Sequence, residues 1–361
     1  MRAMHAGEKV TWRATDLARD RSWVFELDDR ARRDLLGAVR SLRDPDRPLF
    51  DWRRDDFDLG AALPVIRAAF REQREGFGVA LIKGLPREGV SAEEFRLLTW
   101  AIGLHFGVAR PQGKASQYLS AVRDEGTDYR AVTGRGYSSN ASLDFHVDSC
   151  DVVGLACYNV AKAGGQSLFT SAITAHNVLL EEQPDLAELL YAPFCYSRQG
   201  EQAPDEPPFL RCPIYGLAEG RLFGRWNRNR VRSAQRLTGV PPLASRQWEA
   251  LGALDALLRR PDLMADMWLE PGDLQLLNNH AVLHSRTEFE DFEEPARKRL
   301  LWRLWLAPPD SLRLPDAWAE PFKSVEPGTV RGGIRGWHWD AACRAWERRQ
   351  AADLSMRVTL H

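Results

Sequence analysis

Leu143-Asp144-Phe145-His146-Val147-Asp148 is followed far along the chain by Asn278-Asn279-His280-Ala281-Val282-Leu283-His284-Ser285-Arg286, and these two segments constrain the fold more than any other feature. In an extended strand, residues i and i+2 project to one face, so His146 and Asp148 can reach a single ion together. A third ligand from a distant strand would close one face of an octahedron and leave three positions open. An H-x-D pair with one remote histidine is the ligand set of a non-haem iron(II) centre.

The pair alone is weak evidence, because the chain holds 8 histidines and a second such pair, His338-Trp339-Asp340. That second pair lies in a Trp- and Arg-rich tail, with only the terminal His361 after it. It reads as structural or surface. Periodicity does not choose the distal ligand, since His280 and His284 are four residues apart and share a face in an extended strand.

A chain of 361 residues can hold one large domain or two small ones. Hydrophobic content of 44% and charged content of 27% are those of an ordinary globular protein. The net charge of -1 provides no field to recruit nucleic acid or an anionic membrane. The N-terminus shows no apolar leader, and no run is long enough to span a bilayer. Five cysteines without C-x-x-C spacing read as reduced thiols, so a cytoplasmic protein is expected.

Helical patterns come first, over 26–42 with Leu35, Leu36 and Val39 inward, over 61–75, and from Ser91 to about 107. Between them Gly76 to Gly84 bracket a short apolar strand. From about 116 the texture changes to short strands at 118–122, 143–148, 152–160 and 166–170. Helices are expected at 171–180, 185–191 and 245–258, then strands at 274–278 and 300–306. Helices first and many short strands later fit an α+β, mainly β chain. Its core would be a double-stranded β-helix (jelly roll, cupin-like) with helical N-terminal and inserted segments.

Further residues suit a buried polar site. Gly164-Gly165 allow a tight turn, and Ser167 follows with a hydroxyl to donate; Ser171 reads as a helix cap. Arg299 and Arg303 share one strand face with Leu301 and Trp305. Facing inward, each would need an anion, which a guanidinium grips at two points. Facing outward, they would form a solvated stripe over a core of Leu300, Trp302 and Leu304. Arg225, Arg228 and Arg230 read as surface, whereas Trp226 and Asn227 between them can approach a substrate.

Together these pieces resemble the taurine dioxygenase (TauD/TfdA) family of iron(II)- and 2-oxoglutarate-dependent oxygenases, and its clavaminate synthase-like relatives. The resemblance runs from about Gly78 to Leu306 through four blocks in order, FHVD, GGQSLFTS, PGDLQLLNNHAVLHSR and RKRLLWRLW. It implies His146, Asp148 and His284 as catalytic iron ligands, with His280 a neighbour. Clavaminate-type relatives carry Glu where this chain has Asp148, so the triad is of taurine type. The resemblance also implies Ser167 and Arg299 for the 2-oxoglutarate distal carboxylate, with Arg303 next in line. Arg303, with Asn227 and Trp226, is implied on the substrate side.

The expected activity is therefore a dioxygenase using Fe(II), 2-oxoglutarate and O2 to hydroxylate, desaturate or cyclise a small carboxylate or amino-acid-like substrate, releasing succinate and CO2. The whole chain, 1–361, is expected to be one such domain with its jelly-roll core at about 78–306. The expected partner is a small molecule, without nucleic acid or membrane; a homo-oligomer is left open. Two rivals are a jelly-roll metalloprotein that binds a ligand without turnover, and a zinc-dependent hydrolase on the same ligands.

Overall fold

The computed structural model of this chain describes residues 8–41, 47–128 and 136–359. Residues 1–7, read above for a leader, and Leu42 at the end of the first expected helix lie outside them.

Two β-sheets face each other across the centre. The larger runs Val24–Glu26, Val79–Lys83, Leu274–Asn278, Val152–Asn159, Leu300–Ala307 and Val108–Ala109, with Leu119–Val122 also paired to Leu300–Ala307. Its first pair is parallel and the others are antiparallel. The smaller sheet pairs Met264–Met267, Ser167–Ser171 and Val282–Arg286, all antiparallel. This is the jelly-roll core expected above, with helices added before and within it.

The period of two along each strand sorts the side chains. Leu274, Leu276, Leu304 and Leu306 turn outward and join the core formed with the helices Asp29–Arg40, Ala62–Glu75 and Ala92–Phe106. The last of these helices lies so close that a Cβ on Gly103 would come 2.5 Å from Leu304. Leu277, Val153 and Trp305 turn inward and meet Phe169 and Val282 of the smaller sheet. A third core, built on the inserted helices Ala172–Glu182 and Ser245–Leu258, packs behind the smaller sheet against Leu283. The chain therefore buries both faces of both sheets and keeps the space between them for a site.

Local chemistry sets several boundaries. Asp28 caps the helix Asp29–Arg40 through the Ala31 amide, which starts it later than the hydrophobic pattern suggested. Ser91 and Glu94 form a reciprocal capping box at the start of Ala92–Phe106. Ser171 caps Ala172–Glu182, as read from sequence. One expected strand is absent. Residues 143–148 form a loop held by single bridges from His146 to His284 of the smaller sheet and to Asn227 ahead of the helix Arg228–Ala234.

Candidate metal centre

Those bridges bring the triad together. The His146 amide donates to the His284 carbonyl and the His284 amide to the His146 carbonyl, each at 2.9 Å. The two rings lie 4.4 Å apart between centroids. One ligand atom each from His146, Asp148 and His284 lies within 4.8 Å of the others, the one such group of three among the described residues. Two imidazoles and a carboxylate converging on one point are a donor set that fits iron(II).

Their surroundings hold them in ligating states. The Nδ1 of His146 is 2.9 Å from the Asp144 carbonyl, which orients the ring and leaves Nε2 for the ion. Burial lowers the pKa of His146, and burial with the neighbouring His146 ring brings His284 down to about 3, so both imidazoles are neutral. The Nδ1 of His284 is buried without a hydrogen-bond partner among the described residues. Burial alone would raise the Asp148 carboxyl. Arg303 leads the influences that outweigh it and hold the group below its ordinary range. Trp305 Nε1 donates to Asp148 Oδ2 at 2.9 Å, and Arg303 Nη1 lies 3.4 Å from Oδ1. Asn279 Oδ1 fixes the Asp148 amide from the turn between two strands.

The triad borders a cavity of about 130 Å³. At one end stands Arg299, 6% exposed, with Nη1 unpaired among the described residues. Burial brings its pKa down to about 10 against the opposing pull of Cys157 and Asp291. Gly165, at φ +80°, lets this guanidinium approach, since a Cβ there would sit 3.3 Å from Arg299 Nε. Ser167 borders the same end and donates to Gln275 Oε1 at 3.1 Å, while Gln275 Nε2 is buried without a partner among the described residues. Leu155, Leu269, Leu301 and Val122 complete the wall. A buried cation, a hydroxyl and a free amide beside apolar walls make a carboxylate pocket.

Sequence reasoning did not find Gln275; its trace is one polar residue at an inward position of the apolar strand Leu274–Asn278. It also missed Gln112, which borders the cavity, accepts from Arg303 Nε at 2.9 Å and donates to the Arg303 carbonyl.

Other candidates fall elsewhere. His280 sits in the turn after Leu274–Asn278, with Nε2 2.8 Å from Asp151, which Arg331 also grips at 2.6 Å; it is not with the triad. In the tail, Asp340 caps Ala341–Asp353 and Trp339 donates to Tyr118, so the second H-x-D pair is structural. Asn227 borders the cavity, and its side chain caps Arg228–Ala234. Trp226 does not border it: the indole is fully buried in the third core and donates to Asp255 at 2.7 Å. Arg225, read as surface, is 5% exposed, and Arg230 borders the cavity paired to Glu201.

Residues 45–305 match the family model described as taurine catabolism dioxygenase TauD, TfdA family. FR-33289 synthase of Streptomyces rubellomurinus (strain ATCC 31215) is 30% identical over 305 residues, which cover 82% of this chain and 89% of that protein. Among solved structures, asparagine oxygenase in complex with Fe(II), 2S,3S-3-hydroxyasparagine and succinate superposes with a TM-score of 0.57 at 19% identity. It covers 79% of this chain and 93% of its own. The non-heme iron oxygenase OrfP in complex with Fe and alpha-ketoglutaric acid gives 0.55 at 15% identity, over 79% of this chain and 94% of its own.

Proposed function

This chain belongs to the TauD, TfdA dioxygenase family and is an iron(II)- and 2-oxoglutarate-dependent dioxygenase; we propose that it oxidises a small carboxylate or amino-acid-like substrate at an unactivated C–H bond. The observation that carries this reading is the two-part cavity, with the triad at one point and at another the buried Arg299, whose Nη1 has no partner among the described residues. Hydroxylated amino acids stand in the solved relatives' sites, which supports the substrate class.

His146, Asp148 and His284 would hold the iron, which with 2-oxoglutarate and O2 supplies the oxidising power, succinate and CO2 being the co-products. Arg299 and Ser167 orient the cosubstrate by its distal carboxylate, and Gly165 gives Arg299 room to do so. Trp305 and Arg303 keep the Asp148 carboxylate charged and aimed. Leu155, Leu269 and Leu301 exclude water between them. Arg303, Gln112 and Asn227 line the side left for the substrate.

This reading treats the chain as one oxygenase domain, and places it in the cytoplasm. The five cysteines, all free, support that location. No helix among the described residues is long and apolar enough to cross a membrane.

The test is release of succinate from labelled 2-oxoglutarate under iron(II) and oxygen, screened over amino acids. His146→Ala and His284→Ala should abolish iron binding and turnover, while His280→Ala keeps both. Absence of succinate with every substrate, or turnover with zinc and without oxygen, would overturn the reading.

A further inference from the structure

Arg230 and Ile334 wall both the main cavity and a narrow annex bounded by Ser149, Ser197, Arg198 and Arg225. Ser149 directly follows Asp148 in the chain, and Arg225 lies two residues before Asn227, whose backbone bridges His146. The annex therefore abuts the triad. Neither Arg299, Ser167 nor Gln275 borders it.

Its charge is out of balance. Arg225 is 5% exposed, and its Nε and Nη1 have no partner among the described residues. Its guanidinium lies over the Tyr196 ring, 4.7 Å from the centroid. Burial pushes the Tyr196 phenol up and the neighbouring Cys212 thiol up to about 11, so neither supplies a negative charge at neutral pH. The Nε and Nη2 of Arg198 also have no partner among the described residues, and its Nη1 is 3.8 Å from Glu206. That same Glu206 oxygen serves Lys323 and Arg335, each at 3.3 Å. Burial lowers the pKa of Arg198; Glu206 and Glu320 oppose this, whereas the like charges of Arg225 and Arg335 add to it. Asp205, the further partner of Arg335, is exposed, as is Glu320.

Arg225, buried, and Arg198, whose side chain is 12% exposed, have four donor atoms unpaired among the described residues and share a fraction of one buried carboxylate, a costly arrangement without an anion. A single carboxylate would neutralise one of them. We propose that the annex takes a doubly charged tetrahedral oxyanion, a phosphate or phosphonate group, as the head of the substrate. Arg225 and Arg198 grip it in two-point fashion, and the body of the substrate extends past Arg230 and Asn227 to the triad. The word substrate rests on the dioxygenase reading; the anion site itself does not.

The test is calorimetric titration of the full-length protein, anaerobic and saturated with iron(II) and 2-oxoglutarate, with inorganic phosphate and methylphosphonate. Acetate and methanesulfonate serve as controls. Phosphate and methylphosphonate should bind at least 10-fold more tightly than either control. Arg225→Met and Arg198→Met should each weaken them by about 10-fold or more, with unchanged 2-oxoglutarate affinity. Because Arg225→Met removes an unpaired charge, its melting temperature without phosphate should not fall, which separates lost binding from lost fold. Arg225→Lys, which keeps the charge, should retain part of the affinity. Acetate binding as tightly as phosphate, or phosphate binding indifferent to both substitutions, would overturn the proposal. Repeating the titration without iron and 2-oxoglutarate should give the same ranking. Phosphate binding with no cosubstrate binding would therefore count against the oxygenase alone.

Discussion

Replacing Arg299 with Met should have opposite effects on the empty and the cosubstrate-bound protein. In the empty protein, burial lowers the Arg299 pKa from 12.5 to about 10. At about 1.4 kcal/mol per decade, that is on the order of 3 kcal/mol spent on keeping the charge in place. Arg299→Met fills a similar volume without that charge, and the bond from the residue 299 amide to Asp291 survives. The empty variant should be as stable as the parent or more so. With 2-oxoglutarate present, the guanidinium's charge-assisted contact is lost while Ser167 and Gln275 remain. A bond of that kind is worth about 1.5–3 kcal/mol, so the dissociation constant should rise by roughly 10- to 100-fold. Calorimetric titration of 2-oxoglutarate into the anaerobic iron(II) protein reads the affinity, and thermal melts with and without cosubstrate read the stability. Unchanged affinity would move the anchor elsewhere, Arg303 being the next cation along the strand. A fall of many degrees in the empty variant would show that Arg299 is a structural charge.

Gln275→Leu should weaken 2-oxoglutarate about 10-fold, one neutral hydrogen bond's worth, in the same titration; no change would mean that the free Gln275 amide faces no ligand. Trp305→Phe keeps the ring but removes the donor to Asp148, so iron affinity should fall by roughly 10-fold or more in an anaerobic metal titration. Equal affinity would show that Arg303 alone suffices to hold the carboxylate. Burial pushes the Asp151 carboxyl up, but Arg331 and His280 bring it down to about 2 from 3.8. Its stabilising contribution is thus complete above about pH 4 and lost as pH falls toward 2. Asp151→Asn should lower stability at neutral pH by about 3–5 kcal/mol, because Arg331 is left buried and uncompensated. It should also flatten the acid side of the stability curve; parallel acid limbs for the two proteins would contradict the pairing.

What the sequence disclosed follows from which contacts are local. The strand Leu300–Ala307 was legible because alternate residues face alternate ways, and its inward row of Leu301, Arg303 and Trp305 does border the cavity. The residues at 143–148 show the same alternation of apolar and polar, yet they form no strand. Single bridges to His284 and Asn227 hold His146, and periodicity carries no trace of them. His280 and His284 differ only through the turn at Ala281, which sends one ring to Asp151 and the other to the triad. Arg225-Trp226-Asn227 misled in two directions. The indole that suggested a substrate wall went to the core for Asp255, and the arginine that suggested solvent went inside. The indole's place depends on the inserted helix Ser245–Leu258, and the arginine's on Tyr196 of the strand Pro193–Ser197; both contacts are long-range.

Burial alone does not separate Arg331 from the arginines around the cavity, but their hydrogen bonding differs. Arg331 has a fully buried side chain, and all three of its nitrogens donate, to Asp151 and to the carbonyls of Val325, Glu326 and Leu312. It asks for nothing more, and it belongs to the fold. Arg299 and Arg225 are nearly as hidden and the Arg198 side chain is 12% exposed, but each keeps at least one nitrogen without a partner among the described residues. A chain under pressure only to fold would lose such charges, since an apolar residue of similar size costs less. The proposed roles give these charges a use: Arg299 would meet the cosubstrate's carboxylate, and the Arg198–Arg225 pair the substrate's head. The reacting carbon is then fixed between two anchored anions, so a shift of either anchor should misplace it.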